Sequence, residues 1–414
     1  MRLLVALHHL ILGGSPLNAL DFAVAARDRG HEVVLFSVYG DQPGPVAEKI
    51  HAAGLRLELL QHPRESPERM LIRSAVVRKL TDIAARERIE LIHAWEIPMI
   101  MDAFYGPHLR LGVPLVGAIY GPYVPWWLPR YPPLVAGTRE LALRAAPHRT
   151  QTPLIIEPPV NTDNDNAALV DGNAFRKEHG LDADIVAVVV SRLEPSMKAP
   201  GIELTMNAIQ VLDDPRIQLA VVGEGSSSAA LSGLADRVNG SLGRRAVVMT
   251  GPLTDPRPAY AAADITLGMG GSSLRAMAFE KPLIVLGVEG FAKPFRPATA
   301  EEFLFGGFFG VGDGDLDPRP LAGYIQELAD GPELRSELGA FSSQVVWDRF
   351  SLKAASASLE SVYTTAVNQT YPRGLRLREA ARVAVCKTSS DGLSETVKNR
   401  MRPVVRPLRS RGHR

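Results

Sequence analysis

Apolar residues recur at two spacings along this chain. Short continuous runs, RLLVAL (2–7), HEVVLFSV (31–38), LRLELL (55–60), IELIHAW (89–95) and VPLVGAIYG (113–121), read as strands. Between them lie longer stretches in which apolar side chains return every three or four positions: PLNALDFAVAARDRG (16–30), PVAEKIHAAG (45–54) and RMLIRSAVVRKLTDIAARER (69–88). Strands that are apolar throughout are buried on both sides, so the alternation predicts a parallel sheet with helices on both faces. The pattern breaks at TPLIIEPPVNTDNDNAALVDGN (152–173), where Pro158 and Pro159 are followed by Asn, Asp and Gly. A domain boundary is expected there, near residue 160.

The alternation then restarts. Strands are expected in IVAVVVSRL (185–193), IQLAVVGEG (217–225), AVVMTGPL (246–253), DITLGM (264–269) and PLIVLG (282–287), with helices over 199–212, 227–242 and 256–263 between them. Two helices over 319–331 and 332–350 close this half, and SLKAASASLESVYTTAV (351–367) runs on without a glycine break. The fold class is therefore α/β, with two doubly wound halves.

Composition sets limits. At 414 residues and 46% apolar, the chain has length for two or three domains with large cores. One cysteine, Cys386, leaves no intramolecular disulfide. The N-terminal MRLLVALHHLILGG carries two central histidines and no small-x-small site, so it reads as a buried first strand, not a leader. Net charge is +1 but unevenly spread: residues 371–414 hold 12 Lys and Arg against 3 Asp and Glu, leaving 34 against 42 in the first 370. The tail has two weakly amphipathic patches, 375–385 and 391–401, before the disordered-looking RPVVRPLRSRGHR. Such a tail fits an anionic membrane surface or a solvated extension. With an acidic body and no recognisable module, nucleic acid is not an expected partner.

Candidate chemistry lies where strands run into turns. Gly13-Gly14-Ser15 follows the first strand. In the second half, Arg192 and Lys198 flank a loop after a strong strand. A planar fork of donors and a point charge together suit phosphate oxygens. Gly223-Glu224-Gly225 and Gly251-Pro252-Leu253 end the next two strands. Gly270, Gly271, Ser272 and Ser273 open a short helix that either serine can cap, with amides free for an anion. In an open parallel sheet these strand ends share one rim, and a nucleoside diphosphate is its natural guest. Neither G-x-G-x-x-G nor a P-loop is present. No Cys/His cluster has zinc spacing, and NTDND (161–165) reads as a polar linker, so no metal and no cofactor are expected.

In order and combination these segments resemble glycosyltransferase family 4, the group 1 glycosyl transferases of GT-B fold, over roughly residues 1–370. The resemblance implies two Rossmann-like domains facing each other across a cleft: an N-terminal acceptor-side domain, 1–158, to which a helix over 351–370 returns, and a donor domain, 159–350. It implies transfer of a sugar from a nucleoside diphosphate sugar, UDP being commonest, with retention and without a metal. By position, Arg192 and Lys198 match the basic pair at the diphosphate, and Gly13 and Gly14 the glycine loop near the reacting centre. Gly223, Glu224 and Gly225 match a loop near the nucleoside, and Pro252 and Leu253 the base-binding turn.

Two departures stand out. The family has two glutamates eight positions apart around the turn before AMA, the second accepting from ribose hydroxyls. Here Arg275 takes the second place and Leu267 lies at the first. An arginine only donates, so Arg275 is expected to reach ribose oxygens or phosphate, with Glu289 taking over part of the carboxylate role. On the acceptor side, Tyr120 and Trp95 stand where histidines are usual. His93 reads equally as an acceptor contact or a core histidine. Tyr123, Trp126, Trp127 and Tyr131, in a proline-rich loop, offer an acceptor wall or plain packing. The acceptor itself is open: a glycan, a lipid-linked sugar or a hydrophobic aglycone. A cytoplasmic enzyme, peripheral at the inner membrane face, is the expectation. The rivals are a non-catalytic scaffold of the same fold, which Arg275 favours, and a nucleotide-sugar epimerase, which the shortage of carboxylates disfavours.

Overall fold

The computed structural model describes residues 1–62 and 72–391, without the side chains of 389–391. The chain divides into two compact units: Met1–Pro159 together with the chain from Leu352, and Val160–Ser351. The sequence patch 391–401, beyond its first residue, and the arginine-rich end lie outside the described residues.

The first unit is a seven-stranded parallel sheet in the order β3-β2-β1-β4-β5-β6-β7. The strands are β1 (Arg2–Leu7), β2 (Glu32–Tyr39), β3 (Arg56–Gln61), β4 (Leu91–Trp95), β5 (Leu115–Ile119), β6 (Leu134–Ala136) and β7 (Leu154–Ile155). Its helices are α1 (Gly14–Asp28), α2 (Val46–Ala52), α3 (Ser74–Arg86), α4 (Glu96–Ala103), the single turn α5 (Leu109–Leu111) and α6 (Arg139–Ala145). Side chains alternate across each strand, which sorts the core into two layers. Leu3, Val5 and Leu7 pack with α1, α2 and residues Leu359, Val362 and Tyr363 from the end of the chain. Leu4 and Ala6 face the other way, onto α3 and α4. The expected helix over 69–88 is shorter, beginning at Ser74.

The second unit contains α7 (Asn173–His179), β8 (Ile185–Val190), α8 (Ala199–Leu212), β9 (Ile217–Val222), α9 (Ser228–Leu242), β10 (Val247–Gly251), α10 (Arg257–Ala262), β11 (Ile265–Gly268), α11 (Gly271–Ala278), β12 (Leu283–Leu286), β13 (Ala292–Pro294), α12 (Ala300–Gly306), α13 (Arg319–Asp330) and α14 (Pro332–Arg349). The sheet order is β10-β9-β8-β11-β12-β13, parallel except for β13. One face packs on α8, α9 and α13, the other on α7, α10, α11 and α14. Val160 N–H donates to Phe350 O at 2.7 Å, joining the two ends of the unit.

The chain returns to the first unit as α15 (Leu352–Asn368) and α16 (Arg373–Asp391). The described part of the basic tail is thus a packed helix. Ala380 and Val383 are buried beside α3 and α4. Arginine stems act as straps: Arg376 donates to His108 O and Leu109 O, and Arg382 to Trp127 O and Leu128 O. Glu379, only 4% exposed, accepts from Arg130 N–H at 2.8 Å and from Arg382 at 2.7 Å. Glu379→Ala leaves the part-buried Arg130 N–H and the half-buried Arg382 guanidinium without their acceptor. The expected loss is about 2–3 kcal/mol, read as a lower urea midpoint for the first unit by tryptophan fluorescence. Arg378→Ala, at an exposed position, leaves that midpoint in place.

Candidate functional site

In each sheet the winding direction reverses once: between β1 and β4 in the first unit, and between β8 and β11 in the second. There the connections diverge to opposite sides and leave a crevice beyond the strands' carboxyl ends, where open α/β sheets bind ligands. In the second unit the β8 end supplies Arg192 and Lys198, and the β11 end supplies Gly270 to Ser273. Arg192 is exposed, 3.8 Å from Glu194. Lys198 is the N-cap of α8. Burial, and then the neighbouring Arg192 charge, push its ammonium down to about 8. A cation held this way gains by meeting an anion.

The turns after β8 and β9 are zipped together by backbone. Ser191 N–H donates to Val222 O at 3.0 Å, and Leu193 N–H to Glu224 O at 2.9 Å. Gly223 has φ +140°, and a Cβ there would collide with Ser191 O. A Cβ on Gly225 would press on the Leu193 carbonyl. These two glycines are thus needed to seat the Arg192 loop, while the Glu224 side chain is exposed. Pro252 is exposed, and Leu253 leans onto the apolar cluster of Val188, Val222 and Val248.

The expectation that Ser272 or Ser273 caps α11 is corrected. Gly270 is the N-cap, at φ 62°. Ser272 Oγ donates to Met269 O at 3.0 Å, and Ser273 Oγ is buried without a partner among the described residues. No side chain caps α11, so the Gly271 and Ser272 amides stay available, whereas at α8 the Ala199 N–H already donates to Glu194 O at 2.9 Å and Pro200 has no N–H to offer. Arg275 forms an ion pair with Asp165, 3.5 Å away. NTDND is therefore more than a linker: Asp165 is 6% exposed, raised by burial and lowered again by Arg275 and Arg257. Glu289 lies just beyond β12, exposed, at φ 53°.

In the first unit Gly13 is the N-cap of α1, again without a side-chain cap, and Gly14 is exposed. His93 resolves to the core reading: it is 1% exposed, its Nδ1 lies 2.8 Å from Tyr363 Oη, and burial pushes its pKa down to about 3. A ring enclosed in this way is not offered to an acceptor. The Tyr120 hydroxyl is likewise buried, raised well above its usual pKa by desolvation and then by Glu96, Tyr363 and Glu157. Tyr131 is buried and hydrogen-bonded to His108 at 2.8 Å. Trp127 lies under Lys387 of α16, 5.4 Å from its ring. The acceptor wall thus shrinks to Trp126, which is half-buried, and Tyr123, which is 49% exposed.

Sequence reasoning missed Glu96. It begins α4 directly after β4, at φ 65°, a region that costs a side-chain-bearing residue about 1–2 kcal/mol. Its Oε1 accepts from Ser15 Oγ at 2.9 Å and from Tyr120 N–H at 3.1 Å. Desolvation raises its pKa, against the opposing pull of Ser15 and the Tyr120 and Gly121 amides. One signal was available: an acidic residue flush against the end of a buried strand, with no loop before the next helix.

Residues 12–151 match the family model described as Glycosyltransferase Family 4, and residues 184–307 match Glycosyl transferases group 1. The chain belongs to this glycosyltransferase family. Its two units are those of the GT-B fold. A glycosyltransferase structure from Rickettsia africae aligns with TM-score 0.69 at 13% identity, covering 89% of this chain and 99% of that one. Anabaena HepE, solved with UDP-glucose, aligns with TM-score 0.66 at 16% identity, covering 88% and 100%. Staphylococcus aureus TarM, solved with UDP and a GlcNAc-glycerol, gives 0.61 at 10%, covering 88% and 100%. No curated protein sequence matches this glycosyltransferase. Among its described residues no helix is long and apolar enough to cross a membrane.

Two glycines separate packing from access. Gly223→Ala is expected to destabilise the second unit by about 3 kcal/mol, because neither its φ nor the Ser191 carbonyl accommodates a methyl group. Gly14→Ala meets no atom within 4 Å and should change stability by no more than about 1 kcal/mol. Thermal melts of the two variants check the contrast.

Proposed function

We propose that this glycosyltransferase moves a sugar from a UDP-sugar to an acceptor hydroxyl with retention at the anomeric carbon, and needs no metal at the diphosphate. The observation that carries the reading is Lys198, desolvated beside Arg192 at the β8/β11 crevice, to which the uncapped start of α11 also belongs. As the glycosidic bond to phosphate breaks, negative charge grows on the departing diphosphate. Fixed cations and amides oppose that charge without reorganising. Gly270, Gly271, Ser272 and Ser273 contribute from the β11 side. The turns at Gly223–Gly225 and Pro252–Leu253 take the nucleoside, and Arg275 donates toward ribose or phosphate from its anchor on Asp165. Glu289 supplies part of the missing carboxylate function. That HepE, of the same fold, was solved with UDP-glucose supports UDP as the carrier.

Calorimetric titration with UDP, GDP and TDP tests the reading. Tight binding of UDP is expected, weakened about tenfold or more in Lys198→Ala and detectably in Glu289→Ala. Affinity should fall as pH rises through about 8, because only the protonated Lys198 ammonium pairs with diphosphate. That slope should flatten in Lys198→Ala. Binding of no nucleotide by the unaltered protein points instead to a non-catalytic member of the family. Arg275→Glu is a poor probe alone, since it sets a second carboxylate against Asp165; the exchange Arg275→Glu with Asp165→Arg keeps the pair.

We further propose that the chain end holds the enzyme at the cytoplasmic face of an anionic membrane. Residues 392–414 carry seven Lys and Arg against one Glu. Removing them should abolish sedimentation with phosphatidylglycerol vesicles and leave UDP binding unchanged.

A further inference from the structure

The β1/β4 crevice of the first unit presents a carboxylate where a plain structural turn would carry glycine or asparagine. Glu96 sits at a strand-to-helix elbow with φ 65°, and no loop residue separates Trp95 of β4 from the start of α4. A sharp elbow of this kind lifts one side chain above the end of the sheet. Strain held at a residue with a functional side chain marks positions where the side chain, not the backbone, is needed.

The surroundings fix that side chain. Ser15 Oγ, from the Gly13-Gly14-Ser15 turn after β1, donates to Oε1 at 2.9 Å. The Tyr120 amide, at the end of β5, donates to the same oxygen at 3.1 Å. The Gly121 amide adds a further donor, and a Cβ on Gly121 would lie 3.1 Å from Oε2. Three strand ends thus converge on one carboxylate, with Gly121 leaving room beside Oε2. The donors are a hydroxyl and two amides, so the carboxylate's charge is oriented without being neutralised by them. Its residue is half-buried, whereas His93, Trp95 and the Tyr120 hydroxyl lie beneath it, closed off from solvent.

We propose that Glu96 is a sugar-binding residue: its carboxylate accepts hydrogen bonds from the hydroxyls of a hexose seated against exposed Gly14. A carboxylate oxygen with a lone pair to spare is the natural acceptor for vicinal sugar hydroxyls, and the open glycine admits the ring edge. The proposal deepens the glycosyltransferase reading and rests on it for the class of ligand.

Saturation-transfer NMR on the full chain with methyl α-D-glucopyranoside tests it, with UDP titrated into the same samples. The unaltered protein should show sugar signals. Glu96→Gln and Glu96→Gly should weaken sugar binding about tenfold or more, while UDP binds as before. Glu96→Gly removes carboxylate and strain together, and the retained UDP affinity reports an intact second unit. Near-ultraviolet circular dichroism from Trp95 and Tyr120 reports the first. Sugar signals of equal strength in all three proteins, or none in the unaltered one, overturn the proposal. Failure of UDP to bind with sugar binding lost only in the variants overturns the donor assignment and leaves Glu96 supported.

Discussion

A parallel sheet covered on both faces can do chemistry only at its ends. Leu3, Val5 and Leu7 are committed to one helical layer, and Leu4 and Ala6 to the other, so nothing along the strands is left for a ligand. Side chains and amides at the carboxyl ends escape that commitment, and the reversal of winding keeps a gap open between their loops. Arg192 and Lys198 occupy one such gap, Glu96 and the Gly13–Ser15 turn the other. The position of all the candidate chemistry follows from this single restriction.

The two gaps are furnished differently. The second unit offers positive potential: a desolvated lysine, an arginine and the uncapped start of α11. The first offers a carboxylate held by neutral donors above a layer of enclosed aromatic rings. Phosphate is served by the former arrangement and hydroxyls by the latter. On the function proposed, this asymmetry divides the labour of a group transfer between two sheets of similar winding.

Much of the fold was legible because buried parallel strands are apolar throughout, as in RLLVAL and IVAVVV. β6 and β7 were not, being two or three residues long and set among prolines. Arg192, Lys198 and the glycine turns were visible because strand ends are. Three things were hidden, each for a physical reason. The Asp165–Arg275 pair joins residues far apart in sequence, and nothing local announces it. Glu96 depends on a positive φ that no spacing encodes. The arginines of α16 look like solvated charge in a count, yet Arg376 and Arg382 spend their donors on backbone carbonyls. The family resemblance supplied roles for the second unit, but on the acceptor side it pointed at His93, which Tyr363 keeps in the core.

That last bond spans 270 positions. While the chain is being synthesised, the first sheet is complete long before Tyr363, Ala380 and Val383 exist to cover its two faces. Domains ordinarily fold from the N-terminus as they emerge. Here the unit made first has to wait for the last stretch of chain, so the unit made second is the one free to finish first. The growing protein therefore carries, through most of translation, the apolar patches that α15 and α16 later cover, and chaperone demand should peak before release from the ribosome.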